Sequence, residues 1–125
     1  MINFIAVGIG GLIGSVLRYS VTLIPISTGL FPLKTFVVNF IGSFVIGCVG
    51  QYMTMQPEIP RHWILFVQVG VCGGFTTFST FSLEAYDMLN QNQYGMAAIY
   101  MAASVALCIF AVFLGMYVTS TAFSK

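Results

Sequence analysis

Apolar residues form four long stretches along this chain, and polar residues and prolines collect in the short links between them. A transmembrane helix needs about 20 mostly apolar residues. The stretches at about 3–24, 34–55, 62–90 and 94–119 each meet that length. The pattern therefore predicts an all-α integral membrane protein with four transmembrane helices in one domain, residues 1–125.

The third stretch contains residues that are unfavourable in a lipid-facing helix. Residues 70–84 combine paired glycines, several hydroxyl-bearing side chains and three phenylalanines, and they end at Glu84. The bilayer core has no water to hydrogen-bond exposed polar groups, so irregular backbone persists there only in contact with protein or a cavity. We therefore predict a third helix that is broken near residues 73–77, beside a solute pathway.

Composition supports the membrane assignment. The chain is 58% hydrophobic and 6% charged, whereas soluble domains carry about 25% charged residues. The first span has no positively charged leader and no small-residue cleavage site, so we expect a retained helix in a multi-pass protein of the cell (inner) membrane. The net charge of +1 and the lack of a basic patch argue against nucleic-acid binding.

The sequence contains no catalytic arrangement. The single histidine, His62, lies at a span boundary. The cysteines at positions 48, 72 and 108 lie in different apolar stretches without metal-ligand spacing, which indicates buried free thiols. We therefore predict that the protein is not an enzyme.

The basic residues are evenly divided between the two ends of the spans. Arg61 and Lys125 are on one side of a four-span chain, and Arg18 and Lys34 are on the other. Orientation follows the Lys/Arg bias of the loops, so a balanced chain can insert both ways. Two opposite copies can then pair as an antiparallel, dual-topology homodimer, the two-chain version of an inverted repeat.

Two opposite charges are expected at the same depth. Arg18 lies near the end of the first span, and the direction of the third span brings Glu84 to a similar level. Charges inside a membrane usually pair or mark a pathway. We predict a contact between Arg18 and Glu84, direct or through a polar relay; the alternative is an arginine that extends to the interface.

Two further spans present polar strips. Thr35 and Asn39 share one face of the second span, and Tyr100 and Ser104 share one face of the fourth. An amide in hydrocarbon costs a few kcal/mol unless it is hydrogen-bonded. Such side chains either join helices together or donate to a permeating solute.

Phe78 and Phe81 lie three residues apart and interleave with the hydroxyls of Ser79 and Thr80. Phenylalanines at this spacing are most often packing residues. The edge of an aromatic ring is electropositive, however, so ring edges and hydroxyl donors together suit a small anion better than a cation.

These residues resemble a known family. The run Gly-x-Cys-Gly-Gly-Phe-Thr-Thr-Phe-Ser-Thr-Phe-Ser-x-Glu at 70–84 is similar to the signature of the fluoride channels, the Fluc or CrcB family. Supporting matches are Gly10-Gly11-x-x-Gly14-x-x-x-Arg18-Tyr19 and Thr35-x-x-x-Asn39-x-x-Gly42. The resemblance covers nearly the whole chain.

The resemblance implies an antiparallel homodimer with two fluoride pores. It implies that Phe78 and Phe81 form an aromatic box and that Asn39 donates to fluoride. The pathway residues that we predict with it are Thr35, Asn39, Phe78, Ser79, Thr80, Phe81, Tyr100 and Ser104.

The resemblance also implies a structural sodium ion at the dimer interface. By position, backbone carbonyls of Gly73 and Thr76 from each copy would bind it. Hard cations prefer oxygen ligands, and an unwound helix presents free carbonyls.

Two positions depart from the family pattern. Lys34 stands where family members often have glycine, and a cation there can raise the local anion concentration. Cys108 stands one turn after Ser104, where some relatives continue the hydroxyl strip. We place Arg18, Glu84 and Lys34 in a vestibule or structural role.

The sequence thus predicts passive, fluoride-selective efflux that lowers fluoride toxicity in the cytoplasm, with fluoride and the lipid bilayer as partners. One alternative is a small proton-coupled exporter, but such exporters rely on a first-span carboxylate that this chain lacks. The other is a non-transporting assembly subunit, which needs no polar strips on three spans.

Overall fold

Four helical spans make up the protein in a computed structural model that describes residues 1–26 and 29–123. The described part contains helices and turns but no strand. Four helical segments are long and apolar enough to cross a membrane: Ile2–Thr22, Leu33–Met55, Arg61–Asn90 and Tyr94–Phe123. The predicted four-span, all-α membrane fold is confirmed. Lys125, which entered the charge comparison, lies outside the described residues.

Helices α1 (Ile2–Thr22) and α2 (Leu33–Met55) are continuous, whereas the third span changes helix type along its length. It begins as α3 (Arg61–Ile64), widens into a π-helix (Leu65–Cys72) and tightens again in α4 (Gly73–Phe75). After an extended break it resumes as α5 (Phe78–Asn90), and α6 (Tyr94–Phe123) completes the bundle.

The break occupies two residues. Thr76 has ψ of 158° and Thr77 has φ of −149° with ψ of 113°, so both are extended. The predicted interruption of the third helix is therefore confirmed. Thr77 also begins α5, because its Oγ1 accepts the Thr80 backbone N–H at 3.2 Å, as an N-cap residue does.

Small residues set the closest helix contacts. A Cβ on Gly10 of α1 would lie 2.9 Å from the Cα of Gly70, and a Cβ on Gly70 would lie 2.8 Å from the Cα of Gly10. No real side chain tolerates that spacing, so both positions require glycine. The first span therefore packs directly on the π-helix of its own chain.

The interior of the chain is small, and most large apolar side chains point outward. Phe81, Ala85, Met88, Ala97 and Tyr100 form the buried cluster between α5 and α6. Large side chains such as Phe4, Leu12 and Phe113 are more than half exposed. An apolar surface of this extent is suited to lipid or to a second copy.

Candidate functional site

A cavity of about 410 Å³, apolar for the most part but with several polar side chains in its lining, lies where the break in the third span faces α2 and α6. We call it the central cavity. Its polar lining comes from three of the four spans, and it also reaches the ring of Phe78 and the ring of Phe81. The polar lining side chains used below are Asn39, Ser43, Gln68, Thr76, Thr77 and Ser104.

A second cavity, slightly larger at about 450 Å³, has a different character. It lies between the end of α2, the start of the third span and the end of α6, and it is bounded by residues such as Met53, Trp63 and Phe123. Only two of its lining side chains, Tyr52 and Thr119, carry a hydroxyl, and none carries an amide. We therefore place the functional site in the smaller but more polar central cavity.

Asn39 holds the break in place through two hydrogen bonds to one residue. Its Nδ2 donates to the Thr77 carbonyl at 3.1 Å, and its Oδ1 accepts the Thr77 N–H at 2.8 Å. Thr77 is 8% exposed, so both backbone groups would otherwise be buried without partners. The amide thus replaces the helical hydrogen bonds that the extended residue gives up, and the second Asn39 N–H has no acceptor among the residues that the structure describes.

The hydrogen bonds at the break leave two carbonyls, one before the break and one within it, without their helical donors. In a continuous helix, the Thr77 N–H would donate to the Gly73 carbonyl and the Thr80 N–H to the Thr76 carbonyl. Here the first donates to Asn39 and the second to the Thr77 hydroxyl. Gly73 and Thr76 therefore present carbonyl oxygens without their helical donors, and both residues border the central cavity.

Glu84 is held by two hydroxyls. Thr35 Oγ1 donates to Glu84 Oε1 and the Tyr100 hydroxyl donates to Glu84 Oε2, each at 2.7 Å. Such bonds to a carboxylate are among the stronger ones in proteins. Glu84 thus joins α2 to α6, and the polar strips of those helices meet on it.

We predicted a contact between Arg18 and Glu84, direct or through a polar relay; in the described part of the chain, no ion pair joins the two side chains directly. Thr35 lies between the two, because it donates to Glu84 and also borders a small cavity of about 50 Å³ with Arg18. A threonine hydroxyl needs only one acceptor, and Glu84 supplies it. The relay form of the contact stays a prediction.

That small cavity, which we call the basic cavity, collects two of the four basic residues of the chain. Arg18 and Lys34 both border it, together with Thr35 and Thr80. Lys34 Nζ donates to the Thr22 carbonyl at 2.8 Å, at the carboxyl end of α1. A cation at that end complements the helix dipole, so Lys34 supports the end of α1 while it adds positive charge beside Thr35.

The two phenylalanines of the predicted box lie in contact but differ in exposure. Their ring centroids are 5.4 Å apart. Phe81 is 9% exposed and contacts the Tyr100 ring at 5.1 Å, whereas Phe78 is 77% exposed. A single chain therefore encloses only one of the two rings.

Ser104 has the most distinctive environment of the predicted pathway residues. It is 6% exposed and borders the central cavity, and its hydroxyl has no hydrogen-bond partner among the described residues. Buried polar groups in native structures nearly always take part in a hydrogen bond, so this hydroxyl is available to a group in the cavity. The hydroxyl therefore indicates a binding position in the cavity.

The predicted pathway residues fall into three groups. Those that border the central cavity are Asn39, Phe78, Phe81 and Ser104. Thr35 and Thr80 border the basic cavity instead. Ser79 and Tyr100 border neither: the Ser79 hydroxyl lies 3.3 Å from that of Thr77, and the Tyr100 hydroxyl is engaged by Glu84.

Sequence reasoning missed three residues of the site. Thr77 forms the double hydrogen bond with Asn39 and caps α5; its place one residue before a helix start was the available signal. Ser43 and Gln68 border the central cavity. Ser43 lies one helical turn after Asn39, and that spacing was the available signal. The position of Gln68 depends on the π-helix, which the sequence does not predict.

The fold and this site define a small multi-pass membrane protein whose broken helix borders a partly polar cavity inside the bilayer; in a bacterium such a protein lies in the inner membrane. The family model described as CrcB-like protein, Camphor Resistance (CrcB), matches residues 5–116. The chain belongs to this family.

Relatives of the chain cover almost its whole length. A protein of Granulibacter bethesdensis is 38% identical over 97% of both chains, and one of Idiomarina loihiensis is 41% identical over 97% of this chain and 95% of its own. A protein of Elusimicrobium minutum is 44% identical over 90% of both chains. Each of the three is named fluoride-specific ion channel FluC.

Proposed function

We propose that this protein is a fluoride-selective channel that lets fluoride leave the cytoplasm passively. The family membership and the name shared by its relatives support the proposal. The observation that carries it is the buried hydroxyl of Ser104, which has no hydrogen-bond partner in the described part of the chain and borders the same cavity as the Asn39 amide and both phenylalanine rings.

The physical task of such a channel is to replace the hydration shell of a small, strongly hydrated anion. The free N–H of Asn39 and the Ser104 hydroxyl supply donors, and the electropositive ring edges of Phe78 and Phe81 supply weaker attraction. No charged side chain borders the central cavity. Neutral donors bind the ion firmly enough for it to enter and weakly enough for it to leave.

The channel in this proposal is an antiparallel, dual-topology homodimer with two pores. Phe78, at 77% exposed, borders a cavity that one chain leaves open. A second copy would cover that ring and close the cavity. The even division of basic residues between the two ends allows both orientations in one membrane.

A structural sodium ion at the dimer interface fits the residues at the break. Gly73 and Thr76 have carbonyl oxygens that lack their helical donors, and no cluster of three His, Cys, Asp or Glu side chains occurs among the described residues. Carbonyls of these two residues from each copy would hold the ion. When bound, a cation supplies positive potential for a nearby anion.

The hydrogen bonds of Glu84 change the roles of two predicted pathway residues. The hydroxyls of Thr35 and Tyr100 are directed at the carboxylate, so in this proposal they hold Glu84 away from the anion. Arg18 and Lys34 attract fluoride at the vestibule, where the basic cavity carries two positive charges. We assign no catalytic role to any residue.

Anion efflux from liposomes that contain the purified protein tests this function. A fluoride electrode and a chloride electrode would follow release after addition of a potassium ionophore. We expect fast fluoride release, negligible chloride release and a large loss of fluoride flux in Phe78→Ala/Phe81→Ala. The matched control is Phe4→Ala/Phe113→Ala, which alters two rings on the outer surface. Equal flux in the two double variants would contradict the role of the box.

A further inference from the structure

The central cavity contains more unpartnered polar groups than Ser104. Ser43 on α2 and Gln68 on the π-helix also border it; both are half-buried, and neither side chain forms a hydrogen bond with another described residue. Polar side chains inside a membrane usually find partners. Three side chains from three spans therefore face one cavity with their donors unused.

The register between α2 and α6 places these groups at successive depths. The two helices run in the same direction: Thr35 and Tyr100 meet on Glu84 near one end, and Gly47 packs against Val112 further along. The same register puts Asn39 opposite Ser104. One turn deeper, it puts Ser43 opposite Cys108.

Cys108 is the weakest hydrogen-bond donor among the α2 and α6 residues at these successive depths. A thiol is a poor hydrogen-bond donor compared with a hydroxyl, so α6 offers little to an anion one turn beyond Ser104. Ser43 provides a hydroxyl at that level from the opposite wall. Both residues border the central cavity.

Gln68 continues the series beyond Ser43. A Cβ placed on Gly50 of α2 would lie 3.7 Å from Gln68 Nε2, so the amide end lies beside that glycine. Gly50 is eleven residues after Asn39, which is about 16 Å along a helix. The wide turn at Leu65–Cys72 carries Gln68 to this wall, and π-helical turns often occur at functional sites.

We propose that Ser43 and Gln68 extend the anion route of the central cavity into a second subsite, deeper than the level of Asn39 and Ser104. Gln68 lies beside Gly50, about 10 Å further along α2 than Ser43, so the ion meets the hydroxyl and the amide in succession. The ligand is fluoride, alone or with one retained water molecule. The amide offers two N–H donors and the hydroxyl one, and each group also carries an acceptor that can hold the water. The subsite rests on the proposed function, since it extends the same permeation route.

Removing these donors should slow fluoride release without altering the fold. Gln68→Met keeps the size of the side chain and removes both N–H groups, and Ser43→Ala removes one hydroxyl that has no hydrogen bond to lose. We expect each variant to reduce fluoride efflux from liposomes about tenfold. The half-saturating fluoride concentration should rise, which loss of packing alone would not cause. Gln68→Glu, with a negative charge, should reduce efflux further.

Matched variants remove the same groups elsewhere. Gln51→Met deletes an amide on α2 and Ser15→Ala deletes a hydroxyl on α1; neither residue borders the central cavity. Both should conduct like the unaltered protein. Size-exclusion profiles of all variants show whether each is folded.

The possible results distinguish failure of the proposed function from failure of the subsite. If the unaltered protein releases no fluoride, the proposed function falls and the subsite falls with it. If it conducts and Gln68→Met matches Gln51→Met in rate and saturation, the subsite alone is overturned. If Gln68→Met does not fold, Ser43→Ala decides: a rate equal to that of Ser15→Ala overturns the subsite, and a tenfold loss supports it.

Discussion

Replacing Asn39 with alanine removes the side chain that, within the described residues, hydrogen-bonds both backbone groups of Thr77. The Nδ2 bond of 3.1 Å and the Oδ1 bond of 2.8 Å are lost together. Thr77 is 8% exposed, so its N–H and carbonyl are left in a largely dry environment. We expect the broken segment of the third span to lose stability before the continuous helices do.

Two limits set the expected loss of unfolding free energy in Asn39→Ala. Hydrogen bonds between transmembrane helices contribute about 0.6 kcal/mol each on average, which gives about 1 kcal/mol for two. A buried backbone group without a partner costs about 1–3 kcal/mol, which gives about 2–6 kcal/mol. Water from the central cavity can reach part of the segment, so we expect the unfolding free energy to fall by about 2–4 kcal/mol.

Equilibrium unfolding in mixed micelles measures this loss. Helix content by circular dichroism and the fluorescence of Trp63, the single tryptophan, would be followed as SDS is increased. Ser43→Ala is the control, because it lies one turn away on α2 and loses no hydrogen bond. A loss in Asn39→Ala within about 0.5 kcal/mol of that control would refute the assignment of Asn39 as the residue that holds the break.

Three further predictions concern the vestibule and the deep end of the cavity. Tyr100→Phe removes a donor to Glu84 and should lower the unfolding free energy by about 1.5–3 kcal/mol; a loss no greater than that of Tyr94→Phe, whose hydroxyl bonds an exposed asparagine, would contradict this. Lys34→Met should slow fluoride efflux at low salt and match the unaltered protein at high salt, where surface charge is screened; an equal deficit at both salt concentrations would oppose it. Cys108→Ser should conduct fluoride at least as fast as the unaltered protein, because it adds a hydroxyl beside Ser43. A slower rate in folded protein would contradict the proposal that donors follow one another at successive depths along α2 and α6.

Sequence reasoning predicted the parts of this fold that depend on local composition. Span number follows from hydropathy, and the break follows from glycines and hydroxyls that lipid would not accommodate. The depth argument predicted a contact of Glu84 with Arg18, direct or through a relay. The partners that the structure gives Glu84 are the hydroxyls of Thr35 and Tyr100, which depth alone could not identify.

The sequence alone could not predict which groups the side chains of the site would face. The sequence leaves open whether Asn39 joins helices or donates to a solute; in the structure, one N–H and the Oδ1 of its amide are engaged by Thr77. That pairing joins residues far apart in sequence across two helices, so helical periodicity contains no signal for it. The inward position of Gln68 likewise depends on a change of helix type within an apolar stretch, where helical spacing alone gives no reliable direction.

The central claim is that neutral donors and ring edges at mid-membrane select fluoride over larger anions. The most direct test is the reversal potential across a planar bilayer containing the purified protein, with fluoride on one side and an equal concentration of chloride on the other. The account predicts a reversal potential displaced far toward the fluoride equilibrium potential. A reversal potential near zero, which means equal permeation of the two anions, would contradict it.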